Sequence, residues 1–295
     1  MVQDRKALDV TAYAVMVLLT ALWGFQQVAI KVTAADVSPV MQAAIRSVMA
    51  TVLLFAWARL RRIELFARDG TLTAGIAAGI LFALEFVFIY AGLPHTNASR
   101  MVIFIYLAPP LTALGLHFFV PGEHLAPGQW LGVLLAFAGL VLAFAEGFAS
   151  RSGTLAGDAC GLAAAILWAA TTVLIRASAL AHATAARTLL YQLAISALIL
   201  PLASVVLGER GVSTVSALAV VSLIYQGVIV AFASYLAWFW LLRRYLAARL
   251  SVLSFLAPMF GVLSGVLFLR EPLSGNFALA ALLVGGGIVL VNLRR

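Results

Sequence analysis

The fold is decided by residues 98–120, ASRMVIFIYLAPPLTALGLHFFV, and by residues 246–269, LAARLSVLSFLAPMFGVLSGVLFL. Each segment has the roughly 20 mostly apolar residues that a helix needs to span a bilayer. The Leu-Ala-Pro triplets begin at residues 107 and 256, which differ by 149 positions, and the same offset aligns Arg100 with Arg249. The chain therefore contains two copies of one membrane-spanning segment, one in each half.

Other residues repeat in the same order along the two halves, which indicates duplication rather than chance. Glu123 and Glu271 each end an apolar stretch and precede a leucine by two positions. The remaining pairs, at offsets of 145 to 148, are Leu22 with Leu167, Trp23 with Trp168, Val28 with Val173, Ile30 with Ile175, Lys31 with Arg176, Leu125 with Leu273, and Gly139 with Gly287.

The composition excludes most classes of soluble protein. Hydrophobic residues make up 64% of the chain and charged residues 10%, against about 25% charged residues in a soluble domain. Intrinsic disorder is excluded because it requires low hydrophobicity and high charge. The net charge of +8 is spread thinly and forms no basic stripe, so we expect no nucleic-acid partner. An all-α integral membrane protein with the lipid bilayer as its surroundings remains.

We predict ten transmembrane helices, arranged as two inverted five-helix repeats at residues 1–150 and 151–295. The long unbroken apolar runs differ from the short alternating segments of a membrane β-barrel. Since each half has an odd number of helices, the two halves must have opposite orientations in the membrane. The predicted spans are 10–30, 38–58, 71–91, 98–120, 128–146, 155–175, 184–206, 216–240, 246–269 and 274–293.

The distribution of lysine and arginine predicts that both termini are cytoplasmic, because cytoplasmic loops are enriched in these residues. Five of the 19 lie on the outer side, namely Lys31, Arg100, Arg151, Arg210 and Arg270, and Arg46 lies within a span. A bacterial inner membrane is the simplest location. The thirteen residues on the cytoplasmic side are Arg5, Lys6, Arg59, Arg61, Arg62, Arg68, Arg176, Arg187, Arg243, Arg244, Arg249, Arg294 and Arg295.

Inverted repeats are a recurring architecture of secondary transporters, in which the substrate site lies near the membrane midplane between the halves. Two nearly equivalent halves can exchange conformations, and this exchange converts an inward opening into an outward one. The repeat therefore predicts a transporter.

The sequence resembles the drug/metabolite transporters of the EamA type over its whole length. The resemblance implies ten helices and export of small metabolites, with bacterial exporters of amino acids, including aromatic ones, as the most similar members. Ala169 replaces the glycine that follows tryptophan in the first helix, so equal roles for the two tryptophans are not implied. The matching residues are Trp23-Gly24, Leu107-Ala108-Pro109, Gly122-Glu123-His124-Leu125, Gly132, Gly139, Gly157-Asp158, Trp168, Leu256-Ala257-Pro258 and Arg270-Glu271-Pro272-Leu273.

Polar side chains within the spans mark a candidate substrate pathway, because they are costly there. We predict that two repeat-equivalent helix faces line a central cavity and hydrogen-bond an amino acid. The alternatives are hydrogen bonds that hold helices together and, for the tryptophans, anchoring at the membrane interface. The six residues are Trp23, Gln26 and Gln27 in the first helix, and Trp168, Thr171 and Thr172 in the sixth.

Arg46 and Glu85 are the charges placed deepest within their spans, at similar depths on consecutive helices. In the functional interpretation, one or both contact the substrate, or Glu85 relays a proton. The alternative is that they form a structural ion pair or are solvated by the cavity. Their repeat equivalents, Tyr191 and Ser234, are uncharged. We include Tyr191 among the candidate binding residues.

The candidate site also includes aromatic, hydroxyl and proline residues near the middle of the spans. Tyr106 is the best placed of several aromatic residues, and Ser251 and Ser254 occupy the related part of the ninth helix. Pro109 and Pro258 lie at repeat-equivalent places and are candidate hinges, because proline kinks a helix; a fixed bend is the alternative.

Other functions receive less support. A multidrug or cationic-compound exporter would use Glu85 as its buried anion. An intramembrane enzyme would need clustered acids, metal ligands or an activated nucleophile, and no such cluster is evident, so we expect no enzyme, metal or cofactor. A scaffold is a further alternative. The sequence does not determine the oligomeric state, and a monomer is one option. Close helix packing explains the glycine-rich steps. Capping and interfacial solvation explain Glu123, Asp158, Arg270 and Glu271.

Overall fold

The structure, a computed structural model, describes residues 6–66, 69–149 and 154–293. These residues form ten helical segments and, apart from two isolated backbone bridges, no β-structure, which confirms the all-α membrane class. The helices are α1 (Val10–Thr33), α2 (Pro39–Leu60), α3 (Leu72–His95), α4 (Ala98–Phe119), α5 (Pro127–Glu146), α6 (Leu155–Ala177), α7 (Ala185–Val206), α8 (Ala217–Arg244), α9 (Ala247–Leu269) and α10 (Phe277–Asn292).

Within the described ranges, nine of these helices are long and apolar enough to cross a membrane. The exception is α10, which has 16 residues. At 1.5 Å per residue it extends about 24 Å, less than the roughly 30 Å of a hydrocarbon core. The tenth crossing therefore remains a prediction. Arg5, Arg68, Arg151, Arg294 and Arg295, which support the predicted orientation, and the boundary at residues 150 and 151 lie outside the described residues.

Helices α4 and α9 are both interrupted in the middle. The α4 helix runs from Ala98 to Ile105 and again from Ala108 to Phe119. The α9 helix runs from Ala247 to Leu253 and again from Leu256 to Leu269. Proline lacks a backbone N–H and clashes with the preceding turn, so Pro109 and Pro258 fit only just after a break. The repeated Leu-Ala-Pro triplet thus produces the same irregularity in both halves.

Helix packing follows the repeat. Helix α1 packs on α9, and the equivalent helix α6 packs on α4. In the same way, α2 packs on α8 and α7 packs on α3. Two further pairs join equivalent helices, α2 with α7 and α5 with α10. A Cβ atom on Gly24 of α1 would lie 2.6 Å from the backbone nitrogen of Gly261 in α9, so this glycine permits direct backbone contact. Each half therefore contributes helices that pack mainly against the other half.

Candidate functional site

A cavity of about 330 Å³ lies between the halves and receives side chains from eight helices, α1 to α4 and α6 to α9. It reaches the side where α1 and α3 end and where α2 and α4 begin, because Pro39, Leu93 and the exposed Ala98 belong to its wall. We call this the Lys31 side. At the other end the wall consists of buried residues including Ile175 and Leu242, next to Arg176. We call that the Arg176 side.

Most of the predicted site residues meet in this cavity. Trp168 packs edge-on against Tyr106 with their ring centroids 5.6 Å apart. The indole N–H of Trp23 donates a 2.9 Å hydrogen bond to Ser234 Oγ, so Trp23 is held by the residue predicted to be the repeat equivalent of Glu85. The predicted residues on the wall are Trp23, Gln26, Gln27, Arg46, Glu85, Tyr106, Trp168, Thr171, Thr172 and Pro258.

The two cavity threonines direct their hydroxyl groups toward their own helix. Thr171 Oγ1 donates to the carbonyl of Leu167 at 2.8 Å, and Thr172 Oγ1 donates to that of Trp168 at 3.3 Å. Each oxygen keeps a free lone pair, so these groups can still accept a hydrogen bond from a ligand. Gln26 is buried, whereas Gln27 is exposed to the cavity.

Arg46 and Glu85 share the cavity but do not pair. No ion pair within 4.0 Å joins them among the described residues. The guanidinium carbon of Arg46 instead lies 4.7 Å from the centre of the Phe86 ring, an arrangement with favourable electrostatics. The alternative that Arg46 and Glu85 form a structural ion pair is therefore wrong. Their similar depth in the membrane does not determine the direction in which each side chain points.

The structure places four predicted residues away from the cavity wall. Tyr191 packs its ring over Gly75, and its hydroxyl oxygen lies 3.3 Å from Thr71 Oγ1. Ser254 Oγ donates to the carbonyl of Ser251 at 2.6 Å, and both serines are buried within α9. Pro109 is buried at the start of the second part of α4. Direct substrate contact is not available to these residues in this conformation.

Gln192 is a cavity residue that sequence reasoning missed. It is 1% exposed, belongs to the cavity wall, and its amide nitrogen has no hydrogen-bond partner within the described part of the chain. The repeat alignment selected its neighbour Tyr191, which points elsewhere because successive helix residues differ by about 100° in direction. A glutamine within an apolar helix was the available signal.

Four ion pairs among the described residues connect the halves. Arg100 pairs with Asp158 and Arg187 pairs with Asp69, and the other two pairs are equivalent by the repeat. On the Arg176 side, Arg176 of α6 pairs with Glu123, and both side chains are 1% exposed. On the Lys31 side, Lys31 of α1 pairs with Glu271, and these side chains are 66% and 41% exposed. Lys31 and Arg176 are repeat equivalents, as are Glu123 and Glu271. Each pair therefore joins a basic residue of one half to an acidic residue of the other.

Among the described residues, backbone groups donate to or accept from the side chains of the buried pair and not of the exposed one. The amides of Ala247 and Ala248 donate to the carboxylate of Glu123 at 3.1 and 3.2 Å, and Arg176 donates to the carbonyl of Leu242 at 2.6 Å. These contacts tie α4, α6, α8 and α9 together beneath the cavity. Sequence reasoning assigned Glu123 and Glu271 to capping and solvation and did not predict the cross-repeat pairing.

The cavity shows no arrangement suited to metal binding. In the ranges that the structure describes, no three His, Cys, Asp or Glu side chains are grouped closely enough to hold a metal ion. The polar groups are instead single donors and acceptors distributed along an aromatic wall, an arrangement suited to binding a small organic molecule.

The model of the EamA-like transporter family matches residues 10–145 and 155–293. The chain belongs to the EamA-like transporter family. The two matched segments correspond to the two halves described above. The family is a transporter family, which agrees with a membrane-embedded cavity between repeats.

Among curated proteins, this EamA-like transporter is 24% identical to the "Uncharacterized transporter YoaV" of Bacillus subtilis, with 93% of this chain and 94% of that protein covered. It is 25% identical to a "Probable amino-acid metabolite efflux pump" of Escherichia coli, with 92% of each covered. A solved crystal structure superposes with a TM-score of 0.81 at 23% identity, over 95% of this chain and 96% of that chain. That likeness shows a shared fold.

Proposed function

We propose that this EamA-like transporter exports amino acids, most favourably neutral or aromatic ones, across a bacterial inner membrane. The relatives named as amino-acid metabolite efflux pumps in Escherichia coli and Salmonella typhimurium support this substrate class. The aromatic wall supports an apolar or aromatic side chain, and its separate donors and acceptors suit the polar groups of an amino acid. Trp23, Gln26, Gln27, Tyr106 and Trp168 would contact the substrate first.

The mechanism proposed is alternating access between the two halves. The observation that carries it is the pair of equivalent ion pairs, of which one is buried beneath the cavity and the other is exposed at the open end. A symmetric exchange would bury Lys31 with Glu271 and separate Arg176 from Glu123. The breaks near Pro109 and Pro258 would serve as hinges, with Tyr191, Ser251 and Ser254 in the supporting layer.

The orientation follows from the predicted charge distribution. With both termini cytoplasmic, the Arg176 side faces the cytoplasm and the described conformation opens outward. The alternating-access cycle requires only a protein monomer. Its partners are the small-molecule substrate and the lipid bilayer. Labelling of single cysteines placed at Lys31 and at Arg243, in a Cys160→Ser background, would test the orientation with an impermeant reagent in intact cells.

A cationic-compound exporter is the second candidate, because Glu85 is a buried anion in an aromatic cavity. The presence of Arg46 on the same wall opposes it, since a fixed positive charge repels lipophilic cations. Competition by tetraphenylphosphonium against amino-acid transport would separate the two candidates: strong competition favours the cation exporter.

The test of the main proposal is counterflow in liposomes that contain the purified protein, loaded in turn with each of the twenty amino acids. We expect accumulation of labelled amino acid for a subset of neutral substrates. Protein-free liposomes and a Leu198→Ala variant, altered on the outer surface of α7, are the controls. If none of the twenty amino acids is carried while the control variant is folded, the proposed substrate class is wrong.

A further inference from the structure

We propose that the cavity selects zwitterions: Arg46 binds a carboxylate, Glu85 binds an ammonium group, and Gln192 provides the next hydrogen-bond donor toward the Arg176 side. This inference rests on the proposed function and specifies how its site recognises a substrate. If the cavity recognises zwitterions, both charged groups of a free amino acid are necessary for tight binding. If binding depended on hydrophobic contact alone, neither charged group would be necessary.

Arg46 is a buried cation with no anionic partner among the described residues. The residue is 2% exposed and belongs to the cavity wall. Its guanidinium carbon lies over the Phe86 ring, and in the described parts of the chain no carboxylate or carbonyl accepts a hydrogen bond from its N–H groups. A guanidinium group carries five N–H donors in a plane that matches a carboxylate. The open edge of Arg46 therefore suits a carboxylate ligand.

Glu85 is the complementary group. It is 8% exposed and lies on the same cavity wall, on the helix that also supplies Phe86. Among the residues that the structure describes, no lysine or arginine lies within ion-pairing distance of its carboxylate. A carboxylate accepts hydrogen bonds through both oxygens, so an ammonium group with three donors satisfies it well.

The energetic argument is that these two buried charges form no direct ion pair with each other. Removing a charge from water costs several kcal/mol unless a partner and hydrogen bonds compensate, and the cost is larger within a membrane. A single ligand with a carboxylate and an ammonium group compensates both charges at once. A simple cation or anion would compensate one and be repelled by the other, so the site discriminates as well as binds.

Gln192 lies deeper than the two charges. Arg46 is seven residues from the start of α2 on the Lys31 side, and Gln192 is seven residues from the start of α7 on the Arg176 side. These two helices have 22 residues each, which places the two residues about 12 Å apart along the membrane normal. A buried amide without a hydrogen-bond partner destabilises the protein that holds it. During export the substrate passes Gln192 on its way between the Arg176 side and Arg46, so the role of Gln192 is in translocation.

The experiment measures displacement of labelled phenylalanine from the purified full-length protein. The probes are phenylalanine, phenethylamine, which lacks the carboxylate, and N-acetylphenylalanine, which lacks the ammonium group. We expect phenylalanine to bind about 10-fold or more tightly than either analogue, since hydrogen bonds to charged groups are the strong ones. If counterflow selects another neutral amino acid, its amine and N-acetyl derivatives replace these probes.

The variants assign each charge. Arg46→Gln should reduce phenylalanine affinity to near that of phenethylamine while changing phenethylamine binding by no more than about threefold. Glu85→Gln should reduce phenylalanine affinity to near that of N-acetylphenylalanine and change N-acetylphenylalanine binding by no more than about threefold. Arg46→Lys and Glu85→Asp retain charge and should preserve the ranking of the three ligands, which covers the case in which the neutral variants fail to fold.

Gln192→Leu should raise the thermal stability of the empty protein, slow counterflow several-fold and leave phenylalanine affinity nearly unchanged. Ser196→Ala is the matched control, because Ser196 is also buried with an unpartnered hydroxyl in α7 but is absent from the cavity wall. It should change stability without changing transport. The inference is overturned if amino acids are transported but all three ligands lose affinity equally in both charge variants, or if Gln192→Leu transports normally. Absence of any amino-acid transport by the native chain overturns the proposed function itself.

Discussion

The two ends of the cavity have repeat-equivalent ion pairs that differ in burial. Arg176 with Glu123 and Lys31 with Glu271 are equivalent by the repeat, and both join one half to the other. The first pair is buried and reinforced by two backbone amides of α9, whereas the second is largely exposed. Since both pairs join a basic to an acidic residue at equivalent repeat positions, we attribute their different burial mainly to the conformation, although one base is lysine and the other arginine. A repeated sequence can thus provide an equivalent ion pair at each end of the cavity, of which only one is buried in a given conformation.

The largest expected effect comes from removing the buried acid. Glu123→Gln leaves the Arg176 guanidinium buried without its counter-charge, and loss of one partner of a buried pair costs about 3–5 kcal/mol. We expect the thermal unfolding temperature in detergent to fall sharply and transport to be lost. Glu271→Gln is the matched control and should change stability by no more than about 1 kcal/mol, as exposed pairs contribute little. Equal destabilisation by the two variants would contradict the difference described here.

A smaller effect is expected on turnover at the exposed end. Glu271→Gln should leave substrate binding to the described conformation nearly unchanged and slow counterflow several-fold, because the opposite conformation would lack its buried pair. The measurement is the ratio of counterflow rate to phenylalanine affinity. A counterflow rate equal to that of the native chain would show that closure of the Lys31 side does not use this carboxylate.

The proline breaks allow a further comparison between the halves. Pro258→Ala restores a backbone N–H beside the break in α9 and should stiffen this helix, so we expect turnover to fall about threefold with little change in binding. Pro109→Ala tests the equivalent place in α4. If both variants retain full turnover, the breaks are fixed bends and the hinges lie elsewhere.

The smallest effect concerns Asp69, which pairs with Arg187 at the exposed turn before α3. The hydrogen bond from the Thr71 hydroxyl, followed by other local contacts that include the Arg187 charge, lowers the pKa of Asp69 below its usual value. A lowered pKa means that its contribution to stability is present above the unfolded-state pKa and is lost as the pH falls through the folded-state pKa. Asp69→Asn should therefore slightly reduce stability at pH 7 and flatten the acid limb of the unfolding profile. An unchanged acid limb would show that Asp69 does not contribute.

The sequence predicted the features that depend on composition and on repetition. Apolar length identified the membrane helices, and the repeated Leu-Ala-Pro triplet located the equivalent breaks in α4 and α9. The pairing of Trp23 and Trp168 identified two helix faces that the structure brings to one cavity. These features depend on local spacing, which the folded chain preserves.

Features that depend on side-chain direction could not be predicted in the same way. The repeat aligned Tyr191 with Arg46, but the neighbouring Gln192 faces the cavity. Similar depth suggested a pair between Arg46 and Glu85, yet Arg46 lies against Phe86. Repeat equivalence related Lys31 to Arg176 without showing that each would contact an acid of the opposite half, since that depends on how the halves interlock.

The contact of Glu123 with the first amides of α9 has a consequence for the electrostatics of the transport cycle. The amino end of a helix carries a partial positive charge, which a carboxylate stabilises. At the offset of 149, Ala247 and Ala248 correspond to Ala98 and Ser99 at the amino end of α4. Closure of the Lys31 side would therefore bring Glu271 to that end. In one conformation Glu123 would stabilise the amino end of α9, and in the other Glu271 would stabilise the amino end of α4. The cycle would thus replace one interaction with a helix dipole by an equivalent one and require little net electrostatic work.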